Sequence, residues 1–365
     1  MSRWQVGLAA VAIAAAGSGC TTIVRSSVGS NGTEANAIST QFGPRSISDD
    51  GRYVAFNSEA DNLVPNDTNH AIDVFRHDNL TGATIRVSVT GSGAQIPVQS
   101  LDLAISGDGD HIAFRTAASM DPVDTNEGDD VYVRTVSTGA TEWVSIRPDG
   151  QPNLTTSQHE NLRNVSLSDN GQRVLMLQSL PGAGNLFLRD RSTHSTTLLG
   201  GLAAVAFLSG DGNSFVETVL CNGGPCPSRS FGQPVDQLTP QVDIDTECGI
   251  AVLGTSTNSR FVVANRFGVY PTFTCSGPTG LVRWDRMTQT FTSVPIKTQF
   301  QTMTAISDDG RFVGALDDDQ VIRVADLTTG VVQIAAPGPG PAFGAALSGN
   351  GRYIAFTTTS KLVSD

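Results

Sequence analysis

The chain has 365 residues, enough for one large domain with a continuous core; Gly (38) and Pro (17) are frequent, and aromatic residues make up only 6%. Its net charge of −12 argues against nucleic-acid binding, which needs a basic surface. Solubility accounts for an acidic surface, and binding of a cation or basic partner is the sharper alternative.

The first segment reads as an address, not as part of the fold. Met1-Ser2-Arg3 is a charged cap, and residues 6–16 are an apolar run too short for a membrane span, which together predict an export signal. Gly17-Ser18-Gly19-Cys20 then resembles a bacterial lipobox, with Gly17 in place of the usual Leu. That resemblance implies lipidation of Cys20, which would become the mature amino terminus. Ordinary cleavage, with Cys20 removed or left free, is the alternative. Thr21 carries no acidic inner-membrane retention signal, so an outer membrane is the expected destination. The reading divides the chain into a signal peptide, 1–20, and a single domain, 21–365.

A phrase first met at Ile47-Ser48-Asp49-Asp50-Gly51-Arg52-Tyr53-Val54-Ala55-Phe56 returns from Ile105, Leu167, Leu208, Ile306 and Leu347, with a degenerate copy from Thr255. Copies spaced at roughly 40–60 residues indicate an array of like units. Each copy places an Asp/Asn-Gly pair between two apolar stretches, which predicts two strands joined by a tight turn. Asn258-Ser259 replaces the pair in the fifth copy. A second phrase, Asp73-Val74-Phe75-Arg76-His77-Asp78 with Thr81-Gly82, follows the first and recurs from Asp130, Asn185, Leu281 and Val321. It adds a second hairpin, so a unit has four strands, A to D. The expectation is an all-β propeller of four-stranded antiparallel blades, seven in number, with six or an incomplete ring as the alternative.

These phrases resemble the TolB-like and WD40-like (PD40) propeller repeats of bacterial envelope proteins. The resemblance covers nearly all of the mature chain and implies fold far more than activity. TolB's separate amino-terminal domain is not visible here, so its partners are not carried over.

The two ends complete each other in this reading. Residues 21–29 resemble the strand D phrase at 83–91, so the amino-terminal strand is expected to finish the carboxy-terminal blade. Strand C of that blade is missing from the pattern or reduced to Lys361–Ser364.

Five cysteines are an odd number, and setting Cys20 aside leaves Cys221, Cys226, Cys248 and Cys275. In an exported protein these are disulfide candidates, with Cys221–Cys226 and Cys248–Cys275 the favoured local pairs. All four fall on the face carrying the B–C and D–A loops. A zinc site is the weaker reading, since no His lies at ligand spacing.

The first two B–C loops share one spacing of oxygen donors: Asp67, Asn69 and Asp73, then Asp124, Asn126 and Asp130. Hard oxygen ligands on a short loop suit Ca²⁺, although the Gly and distal Glu of a full calcium loop are lacking. The competing reading is a turn-rich loop bonding its own backbone. Arg76, Arg134, Arg189, Arg283 and Arg323 recur on strand C; a basic stripe for a partner is one reading, and the favoured one is a blade edge salt-bridged to its neighbour, with the Asp78, Asp190, Asp285 and Asp326 that follow as candidate acids. Trp143 and Trp284 read as core anchors.

No G-x-S-x-G elbow is present, and the five His are scattered. Asp49/Asp50 and Asp308/Asp309 read as turn residues. The sequence therefore points to a non-catalytic, envelope-exposed platform for a protein or peptide, held to the membrane only through lipid. A Ca²⁺-dependent surface or adhesion module and a carbohydrate-active enzyme using channel carboxylates stay open as alternatives.

Overall fold

A computed structural model describes residues 7–12, 22–40, 45–122, 124, 128–151, 161–180, 183–201, 203–219, 229–234, 242–245, 248–268, 275–298, 304–335 and 342–358. Every regular element among them is a strand, and the strands form seven four-stranded antiparallel sheets. The first sheet is Ser39–Thr40, Tyr53–Ser58, Asp73–Asp78 and Thr84–Arg86, in that spatial order. Five more sheets repeat this A-B-C-D order in sequence. This is a β-propeller.

Strand B shows why these segments need not alternate polar with apolar. Val54 and Phe56 pack with Ala346 and Ala355 of the last sheet, whereas Ala55 between them packs with Leu103, Ile105 and Phe114 of the second. Both faces of a sheet are covered by neighbours, so both must be apolar. Burying each Phe, Leu or Ile contributes about 1.5–3 kcal/mol.

The A–B turns share one set of bonds. Ser48 Oγ donates to Asp50 Oδ1 (2.7 Å) and accepts from the Tyr53 amide (2.9 Å), while Asp50 also accepts from the Arg52 amide (2.9 Å). Ser106/Asp108, Ser168/Asn170, Ser209/Asp211, Ser256/Asn258, Ser307/Asp309 and Ser348/Asn350 repeat it. The Gly that follows has positive φ, +79° at Gly51 and +74° at Gly109. It also has a second duty. A Cβ on Gly109 would lie 2.3 Å from the ring of Tyr53 in the sheet before it, and one on Gly51 would lie 2.1 Å from Tyr353. Each of the six glycine turns thus sits on the first strand B residue of the preceding sheet.

The last sheet joins both ends of the chain. Its spatial order is Ala342–Leu347, Tyr353–Thr358, β1 (Gly7–Ala12) and β2 (Thr22–Arg25). The amino-terminal strand β2 takes the strand D position. Strand C comes from β1, inside the segment read above as an export signal, with Gly7 opposite Thr358 and Ala12 opposite Tyr353. Lys361–Ser364 lies outside the described residues.

Candidate functional site

The residue between Ser and Asp/Asn in each A–B turn faces the axis. In chain order it is Asp49, Gly107, Asp169, Gly210, Thr257, Asp308 and Gly349. Backbone bonds link these turns from sheet to sheet: Asp49 N to Gly107 O, Gly107 N to Asp169 O, Asp169 N to Gly210 O, and Asp211 N to Thr257 O (2.7–2.9 Å). Asp308 N to Gly349 O (2.9 Å) and Asn350 N to Asp49 O (3.1 Å) return to the first sheet. The glycines make room for their neighbours' carboxylates. A Cβ on Gly107 would lie 2.1 Å from Asp49 Oδ2, on Gly210 2.2 Å from Asp169 Oδ2, and on Gly349 2.2 Å from Asp308 Oδ2.

Arg45, which precedes strand A's last stretch, enters this ring. Its Nη1 pairs with Asp169 and donates to Leu167 O (3.3 Å). Burial opposes the Arg45 charge, yet Asp169, Asp49 and Asp308 together hold the guanidinium protonated above its ordinary range. Burial pushes the Asp49 carboxyl up to about 7, with Asp169 adding to the rise and Arg45 opposing it. Burial likewise raises Asp308, again against Arg45. Ile47, Ile105, Ile306 and Leu347 line the same cavity. The channel mouth on the A–B face therefore holds three carboxylates around one cation. This arrangement can receive a cationic or polyhydroxyl group, or place one protonated carboxyl beside an ion-paired one.

The sequence reading grouped Asp49 with Asp50 and Asp308 with Asp309 as turn residues. The structure separates them: Asp50 and Asp309 cap the turn, while Asp49 and Asp308 face the channel. Arg45 was not foreseen. The Asp/Gly alternation across the aligned copies was the available signal.

The acidic B–C loops are occupied by protein groups. Asp73 is fully buried and accepts from Ser88 Oγ (2.5 Å), and Asp67 accepts from Gln95 (2.9 Å) and pairs with Arg86 Nη2 (3.3 Å). Asn69 turns its amide nitrogen, not its oxygen, towards Asp73 (3.2 Å). In the second loop Asp130 accepts from Trp143 Nε1 (2.9 Å) and Ser145 Oγ (2.5 Å), and Asp124 accepts from the Tyr132 hydroxyl (3.2 Å). Asn126 lies outside the described residues. No cluster of three or more His, Cys, Asp or Glu among the described residues is arranged to hold a metal ion.

Cys248 and Cys275 are bridged, S–S 2.06 Å. Cys20, Cys221 and Cys226 lie outside the described residues. Trp143 and Trp284 are buried core residues.

The strand C arginines correct the expected pairing. Asp78, Asp285 and Asp326 are bound by Arg52, Arg260 and Arg311, each just before strand B, and Asp190 by Arg173, the first residue of its strand B. The five strand C arginines also occupy different register positions. Arg76 lies opposite Ala55 and Arg283 opposite Val263, each two residues into strand B. Arg134 lies opposite Ile112 and Arg189 opposite Val174, one residue in, and Arg323 opposite Ala315, three in. A one-residue offset moves a side chain to the other face of a sheet. Arg76 and Arg283 accordingly reach the next turn, donating to Gly109 O (2.7 Å) and Gly310 O (2.9 Å). Arg134 and Arg189 instead donate within their own C–D turns, and Arg323 pairs with Asp317.

No protein-family model matches the chain, and no curated protein matches it by sequence. In structure it is similar to an oligogalacturonate lyase in complex with manganese (TM-score 0.59, 10% identity, 99% of each chain covered). It is also similar to the β-propeller domain of the Trilobed protease from Pyrococcus furiosus, which has an open velcro topology (TM-score 0.57, 11% identity, 85% of this chain and 88% of that one). Similarity to TolB from Acinetobacter baumannii is weaker (TM-score 0.45, 14% identity), covering 79% of this chain and 59% of TolB's length. At these identities the likeness shows the fold, a β-propeller.

Proposed function

We propose that this chain is a non-catalytic binding propeller of the cell envelope, exported and lipid-anchored at Cys20, which offers its B–C loop face to a protein or peptide. The observation carrying this reading is the direction of the last sheet. Thr22 at the start of β2 lies opposite Ala12, which lies opposite Tyr353 at the A–B turn end. Cys20 is two residues upstream, a span of at most about 7 Å. A lipid there holds the A–B face to the bilayer and turns the B–C face outward. That outward face carries long B–C and D–A segments such as 59–72 and 87–99, and a rigid scaffold works through such loops. Many charged groups of the turns, in contrast, are consumed in bonds within or between repeats, as in Arg52–Asp78 and Arg45–Asp169.

The test uses the full-length chain, exported and processed by its host, as bait in envelope extract with Ca²⁺ and with chelator. A partner lost on substituting exposed B–C residues such as Glu59 and Asn66, but kept by Asp49→Asn, supports the reading. A partner with the opposite pattern moves the site to the channel mouth. Retention only with Ca²⁺ shifts the reading to a Ca²⁺-dependent surface.

One observation favours a second reading, a carbohydrate-active enzyme: Asp49, Asp169 and Asp308 converge on the axis. A carboxyl held near 7 beside an ion-paired carboxylate is the division of labour that glycosidic bond cleavage uses. The oligogalacturonate lyases share the fold, but a polyanionic uronate would meet three carboxylates and one guanidinium here, so neutral glycans fit better. Turnover of a neutral polysaccharide that Asp49→Asn abolishes would establish this reading over the first.

A further inference from the structure

We propose that removal of the leader opens a strand-wide slot in the last sheet, and that this slot takes up an extended, uncharged strand of small apolar residues from another chain. The inference rests on the export reading. It concerns a different surface from the B–C face.

β1 is the central link of that sheet's outer half. It pairs along its whole length with Tyr353–Thr358, from Gly7 opposite Thr358 to Ala12 opposite Tyr353. On its other edge Ala9–Ala12 pair with Thr22–Arg25. Cleavage before Cys20 takes residues 7–12 away and leaves both flanking edges without their partner. Unpaired N–H and C=O groups along such an edge are a template for another strand.

β2 does not move over to close the gap. The chain after β2 is tied to the first sheet: Ser26 Oγ donates to Asn79 Oδ1 (3.0 Å), Ser30 Oγ accepts from the Thr84 amide (2.9 Å), and Thr84 Oγ1 donates to Val28 O (2.5 Å). Ile23 packs on a core cluster that includes Leu316, Ile322 and Phe356. β2 also runs antiparallel to β1, and β1 antiparallel to Tyr353–Thr358, so β2 could meet that strand only in parallel. The two edges therefore stay two strand spacings apart, roughly 9–10 Å, the width of one inserted strand. The shape and chemistry of the occupant follow from what leaves: Gly-Leu-Ala-Ala-Val-Ala, six residues without charge. Backbone pairing supplies the affinity, and small alternate side chains supply the fit.

The full-length chain is expressed with its own leader in an exporting host, and the amino terminus of the purified protein is read by mass spectrometry. A labelled peptide of residues 5–14 is then titrated against it, alongside the same peptide carrying Ala10→Pro, which lacks a ladder donor. The expected result is a mature chain starting at Cys20 and saturable binding of the peptide. The proline peptide should bind at least about tenfold more weakly. Hydrogen exchange at 353–358 should slow when the peptide binds. A mature chain that still holds residues 7–12 overturns both the slot and the export reading. A chain starting at Cys20 whose 353–358 amides are protected without peptide, or which ignores the peptide, overturns the slot alone.

Discussion

The junction between the first and second sheets and that between the fourth and fifth solve the same packing problem with opposite residues. At the first, Tyr53 lies under Gly109 while Arg76 covers the Tyr53 ring (4.3 Å) and donates to Gly109 O (2.7 Å). Phe261, Gly310 and Arg283 repeat the arrangement between the fifth and sixth sheets. At the fourth junction the equivalent residues are Ser214, Ser259 and Gly232, the last opposite Val216 where Arg76 is opposite Ala55. Ser259 keeps the positive φ (51°) but carries a side chain. With no ring beneath it, the turn has no need of glycine. Glycine thus tracks the ring beneath it, as at His111 under Gly171 and Phe312 under Gly351, whereas the strand C arginine is optional, with Val133 and Val324 at its register position there.

The largest effect expected from breaking this pairing of ring with glycine is at the first junction. Gly109→Ala places a Cβ against Tyr53 at a positive φ and should lower stability by roughly 4 kcal/mol in urea denaturation, against less than about 1 kcal/mol for Ser259→Ala. Next comes the fifth sheet, which lacks that lock on its fourth-sheet side but holds the Cys248–Cys275 bridge. Cys248→Ser with Cys275→Ser should cost about 3 kcal/mol, read from the urea midpoint under non-reducing conditions. Ser214→Phe should destabilise by about 1–3 kcal/mol, and adding Ser259→Gly should restore most of the loss; a double-mutant cycle without coupling would break the pairing of ring with glycine.

The smallest effect expected lies at the axis and depends on pH. Because the folded Asp49 carboxyl is raised to about 7, the native state binds more protons than the unfolded chain between roughly pH 4 and 7. Stability therefore falls as pH rises through that window. Asp49→Asn should leave stability unchanged near pH 4 and raise it near pH 8 by about 1–2 kcal/mol, after discounting for solvent screening. A pH profile of thermal unfolding decides it.

The sequence made the repeats legible because each turn is written locally: Ser48, Asp50 and Gly51 bond within a few residues of one another, and such bonds leave a fixed spacing. What it hid was the contact between copies. Tyr53 under Gly109 and Asp49 over Gly107 are neighbours only after the sheets stack, so a single copy reads as a turn with surplus acids. Comparing copies by position would have separated Asp49 from Asp50 and the Arg76 register from that of Arg134. Arg45 was out of reach, since it occurs in one copy alone and recurrence was the guide. The strand at Gly7–Ala12 was hidden for a related reason: a short apolar run without charge satisfies a translocation signal and an inner strand equally well, and its pairing with Tyr353–Thr358 exists only once the two ends of the chain meet.

The composite last sheet also sets the order in which the molecule is made. The other six sheets are runs of adjacent hairpins, each complete within one contiguous stretch of chain. The seventh needs strands from both ends. Until they meet the folding chain is an open arc with one unfinished edge at each end, and joining those edges is its most non-local and slowest step. Loss of Tyr353–Thr358 would therefore stall every molecule at the arc, whereas a defect inside one of the six local sheets would still let both ends meet.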